Sequence, residues 1–361
     1  MEDLLNRKNL YLDLLSLIEK NKKCAIATVT FTQGSTPQKP GSSAIFDKNE
    51  LLAGTVGGGY VEHDILKEAT NAVKTKHSSY FSFDLNDQIE QEESVICGGR
   101  MRVFLDANPE KNLKTFQSIK ESFLKREPGI LVTTFKADNI SEMEINRYWG
   151  SAETQESILS LLPEAARKSF LEMAAKPVFG IFKEIVLHSS PGSGEIHILL
   201  EALVPLPQLI IAGAGHIGKA LSNLGKLLDF EVTVWDDRRE YANKTNLPMA
   251  DRILTGDLDS FLKQISLGKE TFVVIVTRGH QYDSEVLRRV IHSEAGYIGM
   301  IGSKTKVAQL REYFIQKAWA TAEKWDEIHT PIGLQIHSKT VQEIAVSIAA
   351  ELIKVRYELN G

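Results

Sequence analysis

Gln208-Leu209-Ile210-Ile211-Ala212-Gly213-Ala214-Gly215-His216-Ile217-Gly218 decides how the second half of this chain folds. An apolar run ends in G-x-G-x-x-G, and His216 to Leu228 continues with apolar residues at helical spacing. The glycine pattern alone says little, because glycine is common; between a strand and a helix it acquires a mechanism. Gly213 permits a tight turn, Gly215 lets the backbone approach a pyrophosphate, and Gly218 lets helix and strand pack closely. The helix start at His216 then offers free N–H groups and a positive dipole to an anion. About 20 residues on, where an acid that reads a ribose is expected, Glu231 to Trp235 forms a strand followed by Asp236 and Asp237. Asp236, first after the strand, favours a 2′-hydroxyl and hence NAD or another adenine nucleotide; Arg238 is the residue that would instead accept a 2′-phosphate.

Outward from this motif the alternation continues. Strands are expected at Arg252–Leu254, Phe272–Thr277 and Tyr297–Ile301, with helices at Leu258–Ile265, Asp283–His292, Lys304–Lys317 and Thr340–Leu359. Short apolar strands alternating with helices predict a Rossmann-type α/β fold, a parallel sheet with helices on both faces. Ligands of such sheets bind at the carboxyl ends of the strands, which singles out Arg278 and His280 after one strand and Ser303 and Lys304 after another. Each has a plainer use, as loop polar groups or, for Ser303, as a helix cap.

Upstream, Val204-Pro205-Leu206-Pro207 interrupts both helix and ladder and suits a connector, dividing the chain into domains 1–204 and 205–361. The first domain has strands and helices without regular alternation, and an α+β fold is expected there. Met1 to Lys20 and Tyr60 to Lys76 read as helices; strands are expected at Cys24–Phe31, Ala44–Phe46, Met101–Leu105, Gly129–Phe135, Phe179–Leu187 and Glu195–Ala202. Lys111–Lys125 and Glu156–Glu172 read as further helices, and Ala137 to Ala152, with little pattern, reads as a mobile hairpin. Three segments expose backbone: Gly34 to Gly41, then Gly57-Gly58-Gly59 with Glu62, and Cys97-Gly98-Gly99. Successive N–H groups at a helix start form an anion nest, and three such segments in one domain point to a site. Singly, each is an ordinary turn, and Glu62 has a plainer use as a complement to its helix dipole.

Composition excludes more than it asserts. With 361 residues, 43% hydrophobic and 25% charged, there is material for two cores. A net charge of -5 without runs of like charge gives no nucleic-acid footprint. No apolar stretch approaches the roughly 18 residues of a membrane span, and the amphipathic start is no signal peptide, so a cytoplasmic location is expected. Two cysteines, Cys24 and Cys97, make neither a disulfide framework nor a zinc cluster, and the histidines and carboxylates show no metal-ligand spacing.

The order of these segments is similar to that of the XdhC/CoxI family, accessory proteins for maturation of xanthine dehydrogenase and related molybdenum hydroxylases. The resemblance is carried by Gly34–Pro40, Gly57–Glu62, Cys97–Gly99, Gly213–Gly218, Thr277–Asp283, Tyr297–Lys304 and Pro331–Leu334 with the helix after it. It implies a cofactor chaperone that binds the molybdenum cofactor and helps deliver its sulfurated form to the apoenzyme, with a cysteine desulfurase as a further partner and a homodimer as the assembly. It also implies that Cys97 contacts molybdenum or its sulfur. Many relatives have cysteine where this chain has Tyr60, which argues against a two-thiol mechanism; the chain also differs at Gln335 and His337-Ser338. Two cysteines cannot supply the iron–sulfur clusters of the dehydrogenase itself. Two alternatives stand beside this reading: an NAD-dependent oxidoreductase with His280 as general acid/base and Lys304 binding an anion, and a regulatory protein that senses a nucleotide through the Rossmann domain.

Overall fold

The apolar runs and glycine punctuation resolve, in a computed structural model, into eleven α-helices, a 3-10 turn of helix at Pro109–Asn112 and fourteen strands over the described residues, 9–58, 60–85, 99–137, 143–178, 180–188 and 194–360. Met1–Pro205 and Leu206–Gly361 form two compact units.

The first unit holds α1 (Leu10–Glu19), β1 (Ala25–Gly34), β2 (Ser43–Phe46), β3 (Leu51–Gly54), α2 (Tyr60–Thr75), β4 (Ser79–Asp84) and β5 (Gly99–Asp106). Its strands pair antiparallel in the order β3-β2-β1-β5-β4. On α2, Val61, Ile65, Ala69, Ala72 and Val73 keep helical spacing and pack on Ala27, Val29, Met101 and Val103 of the sheet. A second antiparallel sheet, ordered β7-β6-β9-β8, is built from β6 (Gly129–Ala137), β7 (Ile145–Gly150), β8 (Phe182–His188) and β9 (Glu195–Leu203), with α3 (Leu113–Leu124), α4 (Gln155–Leu161) and α5 (Glu164–Ala175) around it.

Several features bear on the sequence expectation. The stretch 137–152, expected as a hairpin, contains β7, which returns antiparallel along β6 in register from Ile130↔Gly150 to Phe135↔Ile145. Its alternation is hidden because an inward position is Arg147, buried and ion-paired with Asp106. The single helix expected over 156–172 is two, because Pro163 lacks the N–H needed to continue a helix and instead precedes the first turn of α5. Strand β4, absent from the expected strands, is built on the strand-forming aromatics Tyr80, Phe81 and Phe83.

The second unit runs β10 (Gln208–Ala212), α6 (His216–Leu227), β11 (Glu231–Asp236), β12 (Arg252–Thr255), α7 (Leu258–Leu262), β13 (Thr271–Ile275), α8 (His280–Val290), β14 (Tyr297–Met300), α9 (Lys304–Gln316), a short α10 (Ala322–Asp326) and α11 (Val341–Asn360). The five strands are parallel, in the order β12-β11-β10-β13-β14. The first strand thus lies centrally and the order reverses beside it, the Rossmann arrangement. Leu209, Ile211, Val232, Val234, Phe272 and Val274 face Leu221 of α6 and Ala345, Ile348, Leu352 and Val355 of α11. Alternate residues Ile210, Ala212, Trp235, Val273 and Ile275 face Val286 and Leu287 of α8 and Phe314 of α9. Both faces are covered, which is why the strands read as continuous apolar runs.

Helix α11 is also tied by polar contacts. Arg356 Nη1 donates to the Leu228 carbonyl beyond α6 at 2.7 Å. Glu351 accepts from the Tyr297 hydroxyl at 2.5 Å and from the Gly333 N–H at 2.9 Å. Among the described residues no helix is long and apolar enough to cross a membrane.

Candidate functional site

The strand order reverses beside β10, the place where open parallel sheets take ligands at the carboxyl ends of their strands, and the glycines there have distinct tasks. Gly213 has φ +123°, and a Cβ on it would stand 2.3 Å from the Val276 carbonyl oxygen, so the turns after β10 and β13 abut. A Cβ on Gly218 would stand 1.8 Å from the Gly213 carbonyl oxygen, which makes it the close-packing glycine. A Cβ on Gly215 would meet nothing within 4 Å: this position faces open space at the start of α6. His216 beside it is exposed.

Asp236 is not open in the same way. Its residue is 3% exposed and its carboxylate is engaged within the chain. Oδ1 accepts from Arg238 N at 3.1 Å and Arg238 Nε at 2.9 Å; Oδ2 accepts from Ala214 N at 2.9 Å and Arg238 Nη2 at 3.0 Å. Burial raises this carboxyl, but the hydrogen bonds from Arg238 and Ala214 outweigh it and hold it below the ordinary carboxylate range. The next carboxylate, Asp237, accepts from Arg278 Nη2 at 2.9 Å, joining the ends of β11 and β13.

On the other side of the reversal, Thr277, Arg278, Gly279, His280, Asp283, Ile301, Gly302, Ser303 and Lys306 line a cavity of about 400 Å³. Arg278, His280 and Ser303 are thus brought together as the strand-end rule expects. Ser303 also caps α9, accepting from Lys306 N at 3.4 Å. Lys304 does not line the cavity; Lys306, two residues further along α9, does. Asp283, which sequence alone does not mark as a chemical group, is buried and sets the loop: its Oδ1 accepts from Thr277 N at 3.0 Å and Thr277 Oγ1 at 2.7 Å. Burial lifts its carboxyl above the ordinary range, against the lowering by both Thr277 donors. The signal for it is the spacing of Thr277 and Asp283, six residues apart across a helix start.

In the first unit the three glycine segments converge as far as they are described. Gly34 at the end of β1 is in register with Gly99 at the start of β5. A Cβ on Gly99 would stand 2.6 Å from both the Gln33 and the Ser35 carbonyl oxygens. Gly57, with φ +124°, turns against the ring of Pro37, whose Cγ a Cβ there would meet at 2.8 Å. Gly58 is exposed, with nothing within 4 Å of its Cβ position, just ahead of α2. Glu62, on the first turn of α2, accepts from Thr55 Oγ1 at 3.2 Å, and Thr55 Oγ1 accepts from Gly57 N at 3.3 Å, so this glutamate braces the loop. Gly59, Cys97 and Gly98 lie outside the described residues. Cys24 is buried, and burial pushes its thiol up to about 12, so it is no nucleophile. Among the described residues no group of three or more His, Cys, Asp or Glu is arranged to hold a metal ion.

Comparison with known proteins follows this division. Residues 17–84 match the model of the XdhC and CoxI family, and residues 209–352 match that of the XdhC Rossmann domain. A Bacillus subtilis protein, described as a probable xanthine dehydrogenase component, is 22% identical over 96% of this chain and 98% of its own length. YqeB, an uncharacterised Escherichia coli protein, is 30% identical over 43% of this chain and 28% of its own length. A crystal structure described as a xanthine dehydrogenase from Bacillus halodurans superposes with a TM-score of 0.72, 21% identity and 96% coverage of both chains, a likeness of fold.

Proposed function

The chain belongs to the XdhC and CoxI family, and from that membership we propose that it is an accessory protein of a xanthine dehydrogenase-type molybdenum hydroxylase, which binds the molybdenum cofactor and helps deliver its sulfurated form to the apoenzyme. The observation that carries this reading is the meeting of Gly34, Gly57 and Gly99 around Pro37 and Ser35 in the first unit. A pterin that ends in a phosphate needs backbone donors reachable without side chains in the way. Gly58, open on its Cβ side ahead of α2, supports that reading. Gly58 would offer its backbone to the cofactor, Gly57 and Gly99 would let the three segments pack closely behind it, Glu62 and Thr55 would keep their loop in shape, and Cys97 would meet the metal end as the family resemblance implies. When bound, the group supplies the redox chemistry of the client enzyme; this chain's residues hold it and shield it. A cysteine desulfurase as sulfur donor and a homodimer as the working assembly belong to the same reading.

The test is a titration of the purified protein with molybdenum cofactor, comparing wild type with Cys97→Ala and Gly58→Val. Saturable binding weakened by both substitutions is expected. Binding indifferent to both would remove the site, and absence of binding would remove the function.

A specific observation favours a second, separate site. The strand order, the open Gly215 and the tight Gly218 of the Rossmann unit support a dinucleotide-binding reading. We propose that an adenine dinucleotide binds there, either as a signal that gates delivery or as the hydride carrier of an oxidoreductase with His280 as proton donor. Altered affinity for the client on adding nucleotide would support the signal; nicotinamide absorbance changes with a substrate panel would support the oxidoreductase.

A further inference from the structure

We propose that Arg238, not Asp236, meets the adenosine ribose, so that the Rossmann unit takes a dinucleotide bearing a 2′-phosphate in preference to one bearing a 2′-hydroxyl. The proposal rests on the dinucleotide reading of this crevice.

Reading a ribose diol requires an acceptor with lone pairs to spare at the end of β11. A carboxylate offers about four lone-pair sites. In Asp236 four donors occupy them: the Arg238 N–H and Nε on one oxygen, Ala214 N and Arg238 Nη2 on the other. With the residue 3% exposed, no lone pair faces the crevice. Arg238 covers it, its own side chain 21% exposed.

The covering group has the opposite chemistry. A guanidinium donates only. Arg238 grips Asp236 through Nε and Nη2, so its remaining N–H bonds, those of Nη1 included, project on the far side. The fork is held in place by that grip and by the Tyr241 ring, 3.9 Å from the guanidinium carbon. A pre-set fork suits a phosphate, which only accepts and meets it with charge-assisted, paired hydrogen bonds. The neighbouring carboxylate is muted too, since Asp237 is paired with Arg278 from the loop after β13. Each acid at this strand end is matched by an arginine, and a dianion approaching it meets the outer edge of Arg238.

The experiment is calorimetric titration of the full chain with NADP⁺ and with NAD⁺ in phosphate-free buffer of low ionic strength. NADP⁺ is expected to bind about tenfold tighter or more, the worth of one charge-assisted hydrogen bond or better. Arg238→Ala should bring NADP⁺ to the affinity of NAD⁺, and Arg238→Lys, which keeps the charge without the fork, should fall between. The wild-type comparison needs no variant, so a poorly folding substitution does not remove the test. Equal or tighter binding of NAD⁺ by the wild type overturns the proposal and leaves the dinucleotide reading standing. A variant lacking Arg238 that gains NAD⁺ affinity while keeping that for NADP⁺ also overturns it, since Arg238 would then be a plug over Asp236. Binding of neither nucleotide overturns the proposal together with the reading beneath it.

Discussion

Gly215→Ala and Gly218→Ala place the same methyl group three residues apart in one motif, and the structure gives them opposite consequences. At Gly218 the new Cβ would lie 1.8 Å from the Gly213 carbonyl oxygen and 3.0 Å from its carbon. Even a tolerable 3.0 Å contact demands that helix and turn part by more than an ångström, and neither side is a flexible side chain. The loss should sit at or beyond the top of the roughly 1–3 kcal/mol range for overpacking. At Gly215, φ is -70° and the Cβ position is empty. Replacing glycine at a compatible φ restricts the unfolded chain, a gain of about 0.4–1 kcal/mol. Gly215 is also the N-cap of α6, where alanine is poorer than glycine by a comparable amount. The two effects nearly cancel, and stability should change by less than about 0.5 kcal/mol. Ligand binding should reverse the ranking: the Gly215 methyl occupies the space a pyrophosphate needs, so nucleotide affinity is lost in a fully folded protein. Urea unfolding by tryptophan fluorescence reads the stability, since Trp235, Trp319 and Trp325, three of the chain's four tryptophans, lie in this unit. A Gly218→Ala protein as stable as wild type would refute the packing argument. A Gly215→Ala protein that binds nucleotide normally would refute the assignment of the open space.

Three other outcomes follow from the first unit. In a Cys97→Ala background, Cys24 should resist an aromatic disulfide reagent at pH 8 until denaturant is added, because burial keeps its thiol protonated; prompt native-state reaction would contradict its placement. Removing Arg147 as Arg147→Met strands buried Asp106 and should cost about 3–5 kcal/mol, whereas the added change Asp106→Leu should recover much of it; urea midpoints decide. Glu201 has its carboxyl pushed from an ordinary 4.5 up to about 7, by burial foremost, with the Tyr11 hydroxyl bond and Arg147 pulling the other way. The folded state therefore keeps a proton that the unfolded chain releases, and the contribution of this one group to stability is full below pH 4.5 and lost as pH rises through about 7. Glu201→Gln should remove that loss, gaining up to about 3 kcal/mol at pH 8 and little at pH 4; a pH-independent difference would contradict it.

The Rossmann unit was legible because its strands are buried on both faces and its glycines sit at the turns, so local pattern and tertiary role coincide. Gly213, Gly215 and Gly218 carry the tasks their spacing suggests. Asp236 shows where spacing stops: sequence puts an acid at the right strand end but does not tell that Arg238, two residues later, folds back and saturates it. Similarly, Lys304 and Lys306 are equally basic in sequence, and only the pitch of α9 decides which one lines the cavity. In the first unit β7 was hidden because Arg147, a charged residue, occupies a core position that only its pairing with Asp106 explains. Long-range partners of that kind leave no periodic trace.

Glu351 has a practical consequence for anyone who wishes to isolate the Rossmann unit. One carboxylate on the final helix receives both the hydroxyl of Tyr297, on edge strand β14, and the amide of Gly333 in the loop beyond α10, while Arg356 clasps the end of α6. A fragment stopped after α10 would keep all five strands and every glycine of the crevice. It would nevertheless bare the part of that sheet face, and the flank of α6, that α11 covers, with Tyr297 left holding a proton without its Glu351 acceptor. The shortest fragment worth expressing therefore extends from Leu206 through Arg356, and solubility of anything shorter would be a sign of aggregation-resistant misfolding to be checked before any ligand is added.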